Sequence, residues 1–108
     1  MKIATWNVNS IRSRVERVAA WTERERPDVL CFQEIKTTDD LFRKHHAEGG
    51  FYSWWDYRQL AFQKNNGLRI DLILGTAPML KRSQDVVIHR DERKGESPSD
   101  HVPVVAEF

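Results

Sequence analysis

The chain consists of short apolar runs separated by polar stretches, and four of the runs contain or adjoin a polar cluster. These runs are residues 3–6, 29–32, 68–74 and 102–108. Runs of this length, rich in branched and aromatic residues, predict β-strands. The polar residues beside or within them are Asn7, Glu34, Asp71, Asp100 and His101. A packed sheet brings strand ends to one rim, where binding and catalytic groups collect, so we expect these five side chains to lie together.

The segment between the first two predicted strands has helical spacing. Its apolar positions are Ile11, Val15, Val18, Ala19 and Trp21. We expect Asn9 or Ser10 to cap this helix and Pro27 to end it. A strand, a helix and a strand within about 30 residues form a crossover unit, which usually joins parallel strands.

The rest of the chain predicts two more strands, at residues 51–57 and 86–89, and two more short helices. One helix is expected to begin at Asp39 or Asp40 and to end at Gly49, and the other covers residues 77–82. The predicted fold is therefore α/β, with about six strands and two or three helices in a single domain over residues 1–108.

Composition narrows the class of protein. Of the 108 residues, 40% are hydrophobic and 31% are charged, which is typical of a globular domain. No apolar run approaches the roughly 20 residues of a membrane span, and no signal-peptide pattern is present at the N-terminus. Cys31 is the single cysteine, which excludes a disulfide framework within the chain and favours a cytoplasmic location. The net charge of +1 neither requires nor excludes a nucleic-acid partner.

The polar residues at the strand ends suit metal-assisted hydrolysis. Glu34 and Asp100 are candidate ligands for a hard cation such as Mg²⁺, which binds one or two carboxylates and keeps several waters. Asp71 lies inside an apolar run and needs a partner, because a buried unpaired carboxylate is costly. Its partner is either His101, which it would orient, or an arginine in a purely structural ion pair. An Asp–His pair beside a metal favours hydrolysis of a phosphodiester.

Five segments resemble, in the same order, the motifs of the exonuclease III family of apurinic/apyrimidinic endonucleases. They are residues 1–12, 27–36, 52–58, 66–74 and 90–101, so the resemblance covers nearly the whole chain. It implies a reduced version of the four-layer αββα sandwich. It also implies a Mg²⁺-dependent DNA hydrolase, with Mn²⁺ as a possible replacement. Such an enzyme cleaves duplex DNA beside abasic sites and digests it from 3′ ends during DNA repair.

The resemblance assigns a role to each residue at the strand ends. Glu34 matches the main metal-binding glutamate, and Asn7 matches the amide that helps to organise the metal site. Asp100 matches a further carboxylate near the metal. Asp71 matches the aspartate that orients the active-site histidine, which is His101 here and contacts the scissile phosphate.

The resemblance also implies residues that contact DNA. Trp54, Leu68 and Ile70 match positions that line the pocket for an extrahelical abasic sugar, where apolar walls would reject a normal nucleotide. A plain core role is equally open for these three. Arg58 and Arg69 lie in the same motifs and are the remaining DNA-binding candidates. The predicted helix start at residues 10–12 would face a phosphate.

One large part of the family pattern is missing. In the family, the stretches matching residues 37–42 and 45–50 flank a central region with a Gly-Asp-Phe-Asn motif, whose Asp activates water, and with a catalytic tyrosine. The sequence contains no such motif, and Tyr52 and Tyr57 belong to a different one. We therefore expect weak activity, or activity with a replacement base such as His46 or Glu48.

Two other functions remain open. The chain could be a non-catalytic DNA- or metal-binding remnant or an engineered minimal scaffold, because the residue expected to activate water is absent. It could also be an assembly module. Loss of central strands would expose apolar sheet edges and favour self-association.

Overall fold

The computed structural model describes residues 1–36 and 48–108, and the helix predicted to begin at Asp39 or Asp40 lies outside these ranges. The elements in chain order are β1 (Ile3–Asn7), α1 (Val15–Glu25), β2 (Val29–Gln33), β3 (Leu72–Gly75), α2 (Ala77–Arg82), β4 (Asp85–Ile88), a 3₁₀ turn (Arg90–Arg93) and β5 (Val104–Glu107). Among the described residues, no helix is long and apolar enough to cross a membrane.

Two small sheets pack against each other. In the first, β1 runs parallel to β2, as the crossover unit predicts, and β3 is antiparallel to β2 on its other side. In the second, β4 and β5 are antiparallel. Ile73 on β3 packs against the cluster around Val86 on β4, which joins the sheets. The result is a reduced α/β sandwich, as predicted, with five strands rather than six among residues 1–36 and 48–108.

Helix α1 begins later than predicted, and neither Asn9 nor Ser10 caps it. Both residues have positive φ angles, of 41° and 78°. The Ser10 amide donates to the Glu34 carbonyl at 2.8 Å, and the Ile11 amide donates to the Ile35 carbonyl at 3.1 Å. These amides are therefore used to bind the chain after β2, and the first turn of the expected helix does not form. They are also not free to face a phosphate, as the predicted helix start would require.

The aromatic segment at residues 51–57 is not a strand. Trp54 makes isolated bridges to Leu68 and to His101 instead. The amides of Ser53 and Trp54 both donate to the Leu68 carbonyl, each at 3.0 Å, and no regular ladder forms. The middle of the segment is nonetheless deeply buried, since Ser53 and Trp55 are both 0% exposed, whereas Phe51 and Tyr57 at its ends are exposed. The segment links the chain around Leu68 to the chain around His101.

Candidate active site

The sheet brings all five predicted residues to one cleft. Because β1 and β2 are parallel and in register, Asn7 lies beside Gln33, and Glu34 follows directly. Strand β3 runs the other way, so its first residue, Leu72, pairs with Phe32, and Asp71 lies at the same rim. The cleft has a volume of about 660 Å³. Its lining includes Asn7, Glu34, Asp71, Asp100 and His101.

Asn7 and Glu34 form one hydrogen-bonded pair in the cleft. The Asn7 Nδ2 group donates to Glu34 Oε1 at 2.8 Å, and Asn7 Oδ1 accepts from the Asn9 amide at 3.1 Å. Glu34 has a φ of 55°, in the left-handed region, which costs a residue with a Cβ about 1–2 kcal/mol. The Glu34 carbonyl accepts a hydrogen bond from the Ser10 amide. The amide of the next residue, Ile35, donates to the Ile70 carbonyl at 3.0 Å. Strain of this kind is typical of functional sites.

Asp71 and His101 form a second pair. Asp71 Oδ2 lies 2.7 Å from His101 Nδ1, and the Asp71 side chain is 13% exposed. The partner of Asp71 is thus the histidine and not an arginine. When the carboxylate is ionised it only accepts hydrogen bonds, and the contact then requires Nδ1 to be the donor, which leaves Nε2 for other contacts. The second carboxylate oxygen of Asp71, Oδ1, is buried and has no partner among the described residues.

Ser53 positions this pair, and sequence reasoning missed it. Its hydroxyl oxygen accepts from the amides of Ile70 and Asp71, both at 3.2 Å. Its carbonyl accepts from the Val102 amide at 2.9 Å. A single buried serine therefore holds the residues on either side of the Asp71–His101 contact. A lone serine among aromatic residues gives no signal in the sequence by which it could have been found.

Asp100 is held by Trp54. The Trp54 indole N–H donates to Asp100 Oδ2 at 3.0 Å, and the Trp55 amide donates to the Asp100 carbonyl at 3.0 Å. Trp54 was predicted to line a sugar pocket from its place in a family motif. In this structure its polar edge also fixes the orientation of a cleft carboxylate.

The predicted DNA-binding residues lie outside the cleft. Trp54, Arg58 and Leu68 line a neighbouring pocket of about 400 Å³, and Leu68 is 53% exposed. Arg69 is half-buried, whereas Ile70 is 7% exposed and lies in the core. Of the three residues predicted to line a sugar pocket, Trp54 and Leu68 therefore line a surface pocket and Ile70 does not.

Arg58 is bound to a neighbouring carboxylate. Its guanidinium donates to both side-chain oxygens of Asp56, at 3.0 and 2.8 Å. These hydrogen bonds lower the pKa of Asp56 to about 2 and raise the pKa of Arg58. Any contact between Arg58 and DNA therefore competes with this pair.

Of the two suggested replacement bases, Glu48 alone is among the described residues. Glu48 is exposed and does not line the cleft, and His46 lies outside the described residues. Cys31 does line the cleft, but burial raises the pKa of its thiol. A thiol with a raised pKa stays protonated at neutral pH and is a poor nucleophile and a poor metal ligand.

The carboxylate and amide groups of the cleft suit Mg²⁺, which keeps several water ligands, better than a metal ion whose ligands all come from the protein. Among residues 1–36 and 48–108, no three His, Cys, Asp or Glu side chains are grouped to hold an ion. Structural zinc needs four such ligands, whereas Mg²⁺ is commonly bound through one or two carboxylates and several waters. Glu34, supported by Asn7 and joined by Asp100 in the same cleft, fits the second kind of site.

Comparison with known proteins identifies relatives among nucleases. Exodeoxyribonuclease III from Haemophilus influenzae is 46% identical over 71 residues, which is 65% of this chain and 27% of the relative. Exodeoxyribonuclease from Bacillus subtilis is 31% identical over 86 residues, which is 80% of this chain and 32% of the relative. The chain thus spans about a third or less of these curated relatives.

Solved structures share the fold. The 3′ phosphatase NExo from Neisseria, solved with a product DNA hairpin, matches with a TM-score of 0.79 and 28% identity, over 98% of this chain and 60% of that one. An AP endonuclease from Archaeoglobus fulgidus matches with a TM-score of 0.62 and 20% identity, over 100% of this chain and 99% of that one, and this likeness supports the fold alone. Residues 4–53 also match the sequence profile of the endonuclease/exonuclease/phosphatase family. The chain is therefore similar to proteins of this family over about half of its length, in line with the resemblance of its motifs.

Proposed function

We propose that the chain is a metal-dependent DNA phosphodiester hydrolase with 3′–5′ exonuclease and abasic-site endonuclease activity, working at a reduced rate. The observation that carries this proposal is the meeting of the Asn7–Glu34 pair and the Asp71–His101 pair in one cleft. The first pair is suited to hold a cation, and the second is suited to bind a phosphate and handle a proton. Relatives whose names describe exodeoxyribonucleases support DNA as the substrate.

The protein residues divide the chemistry between them. Asp71 fixes the His101 ring through Nδ1. The other nitrogen, Nε2, donates to a phosphate oxygen when the ring is protonated and accepts a proton when it is neutral. Glu34, Asn7 and Asp100 would hold Mg²⁺, with Trp54 keeping the Asp100 carboxylate in place. Bound there, Mg²⁺ supplies positive charge beside the scissile phosphate and lowers the pKa of water.

The reduced rate follows from the missing central segment. A positioned general base commonly contributes about 10²–10⁴-fold to the rate. The sequence lacks the Gly-Asp-Phe-Asn motif, and Glu48, one of the two suggested replacements, is exposed away from the cleft. We expect cleavage to be slower than in full-length relatives by a factor in this range.

Cleavage of an abasic-site duplex with and without a chelator tests the proposal. We expect cleavage only with Mg²⁺ or Mn²⁺, and a loss on Glu34→Gln because the main carboxylate ligand is removed. Asp71→Asn should lower the rate by about 10²–10⁴-fold, since His101 loses its orienting acceptor. Glu96→Gln is the matched control, because Glu96 is exposed and does not line the cleft. Cleavage that survives the chelator or Glu34→Gln would contradict the metal mechanism.

A second candidate function is binding without turnover. It is favoured by one observation, the absence of the water-activating motif from a chain whose other site residues are in place. Fluorescence anisotropy with the same duplex separates the two functions. Tight binding of abasic DNA in Mg²⁺ with no cleavage after long incubation would favour the binding function.

Self-association is a further proposal about the assembly. Ile3, at the edge strand β1, is 59% exposed, and Val15 on α1 is 56% exposed, so apolar surface is left uncovered on this side. Size-exclusion chromatography with light scattering should show a mass above that of the 12.7 kDa monomer that rises with concentration. A monomer at all concentrations would contradict the proposal.

A further inference from the structure

Arg93 is a buried cation without a counter-ion among residues 1–36 and 48–108. The residue is 8% exposed, and its Nε is buried and has no hydrogen-bond partner within the described part of the chain. Its guanidinium instead lies 4.6 Å from the centre of the Tyr57 ring and 5.8 Å from that of Phe62. Ring contacts of this kind contribute about 0.5–2 kcal/mol. They do not satisfy the N–H donors of a group that stays charged at every accessible pH.

The Arg93 side chain lines a separate cleft of about 440 Å³. The other lining residues are Asp56, Tyr57, Phe62, Gln63, Lys94, Gly95 and Pro98. Asp56 is the one acidic residue in this lining, and Arg58 already binds both of its carboxylate oxygens. Asp56 therefore repels an anion in the cleft only weakly, because the Arg58 guanidinium balances its charge.

The residues that line this cleft include two cations, Arg93 and Lys94, and one carboxylate, Asp56. Lys94, at the cleft wall, pairs with Asp91 at 2.6 Å, and this hydrogen bond and charge lower the pKa of Asp91. Arg90 lies 4.0 Å from the Phe62 ring centre and donates to the Phe62 carbonyl, which is a neutral acceptor. Both arginines thus lie over the Phe62 ring, and the charge of Arg90 also contributes to the lowered pKa of Asp91, whereas Arg93 has no carboxylate partner in the described structure. A buried charge of this kind calls for an anion, because leaving it unpaired is costly.

We propose that this cleft binds a phosphate group of the DNA backbone, held by the Arg93 guanidinium. The planar fork of an arginine matches two phosphate oxygens, and the stacked Tyr57 and Phe62 rings fix its plane in advance. The inference rests on the proposed function, since it takes the DNA substrate from there. Arg93 would make a second phosphate contact, separate from the cleft that holds Asp71 and His101.

The position of the cleft connects it to the catalytic residues. Pro98 lies in its wall and is followed after one residue by Asp100 and His101. The Tyr57 hydroxyl donates to the Pro98 carbonyl at 3.0 Å. The residue whose ring contacts Arg93 therefore also holds the chain two residues before Asp100. A phosphate bound to Arg93 would therefore fix the position of the DNA strand relative to Asp100 and His101.

The Arg93 Nε–H signal in ¹H–¹⁵N spectra of the whole protein tests the proposal directly. The probe is an abasic-analogue duplex that cannot be cleaved, added in the presence of a chelator. We expect a saturable shift of the Arg93 Nε–H signal, because the orphan donor gains a phosphate acceptor. Inorganic phosphate is a second arm. A response to inorganic phosphate with none to the duplex would overturn the DNA backbone as the source of the anion, and no response to either would overturn the site.

Salt dependence of duplex binding gives an independent test. Removing one protein–phosphate interaction reduces the slope of log K against log salt by about 0.9. Arg93→Met should weaken binding by about tenfold at roughly 0.1 M salt and reduce the slope by about that amount. Arg93→Lys should retain part of the slope, because the charge remains while the fork is absent. Arg82→Met, on an exposed side chain at the end of α2, should change neither.

The outcomes separate this inference from the proposed function. A duplex that is bound and cleaved, with affinity and salt slope unchanged in Arg93→Met, would overturn the Arg93 site alone. A wild-type protein that binds no duplex at all would overturn the proposed function. Circular dichroism of each variant comes first, and if Arg93→Met does not fold, the Nε–H titration of the wild type decides the question.

Discussion

The two walls of the candidate active-site cleft are built in different ways. Asn7 and Glu34 stand at the ends of β1 and β2, whose parallel ladder pairs residue after residue from Ile3 with Val29 to Asn7 with Gln33. Asp71 and His101 stand on irregular chain, joined by single bridges at Trp54. One wall is positioned by repeated backbone hydrogen bonds, and the other by a few specific contacts.

Both walls rest on buried residues, and they differ in the chain that supplies them. Val8 and Ile35, which follow Asn7 and Glu34 in the first wall, are 1% and 2% exposed, whereas helix α1 outside the sheet has no buried residue. Beside the second wall, Ser53 and Trp55 are both 0% exposed and lie in irregular chain. The buried anchors of the second wall are therefore not supported by a regular ladder. We conclude that single substitutions should damage the second wall more than the first.

Substitution of the central anchor should have the largest effect. Trp55→Ala should destabilise the fold by about 3–5 kcal/mol, because it removes a fully buried aromatic that contacts Tyr52 and Phe62 in edge-on geometry. The matched variant is Trp21→Ala on α1, where the ring is half-buried and meets Trp6 at 5.6 Å. Urea denaturation should show a smaller loss of unfolding free energy for Trp21→Ala. Equal losses for the two variants would contradict the expectation that the second wall is more sensitive to substitution.

A smaller effect is expected where the chain passes closest to the same anchor. A Cβ at Gly67 would lie 2.6 Å from the Trp54 carbonyl oxygen and 2.7 Å from Trp55 Nε1. Gly67→Ala should therefore cost about 1–3 kcal/mol by overpacking, and it should displace the Trp54 backbone that pairs with His101. Gly49→Ala is the control, since nothing lies within 4 Å of a Cβ there. Denaturation midpoints compare the two, and a Gly67→Ala midpoint equal to that of the control would contradict the packing argument.

The same contrast explains which parts of the fold were predictable from sequence. The continuous apolar run of β2 and the crossover from β1 follow from local pattern, and both were predicted correctly. The segment at residues 51–57 was predicted wrongly as a strand. Its amides donate to Leu68 and Asp100, which are distant in sequence, and no local pattern reveals such partners. The late start of α1 has the same cause, because the Ser10 and Ile11 amides bind the chain after β2.

The sequence predicted which residues meet in the cleft, and it did not predict the contacts that hold them in place. All five predicted side chains line the cleft, and strand geometry brings Asn7 and Glu34 together, whereas Asp100 and His101 reach it on irregular chain. The Ser53 hydroxyl and the Trp54 indole hold Asp71 and Asp100 through contacts between segments far apart in sequence. Contacts of that kind depend on tertiary placement, and residue type alone does not indicate them.

A still smaller effect should appear at Glu34, in the first wall. Its φ of 55° favours glycine, so Glu34→Gly should be more stable than Glu34→Ala by about 1 kcal/mol. Both variants lose the carboxylate and its hydrogen bond from Asn7, so their difference isolates the backbone strain. Denaturation in urea measures that difference, and both should lack metal-dependent cleavage. If Glu34→Ala is as stable as Glu34→Gly, then the backbone of the first wall is not strained at Glu34.

The smallest effect should come from the exposed ion pair beside the second wall. Arg58 lowers the pKa of Asp56 to about 2, through its side-chain hydrogen bond first. The unfolded value is about 3.9, so this contribution to stability is present above about pH 4 and is lost as the pH falls toward 2. An NMR titration of Arg58→Gln should show the Asp56 pKa rising toward about 3.9, with Asp91, which Lys94 holds, as the unchanged reference. Stability at pH 7 should barely change, because exposed pairs contribute little. A large loss at pH 7 would mean that charge pairing, and not burial around Trp55, holds the second wall.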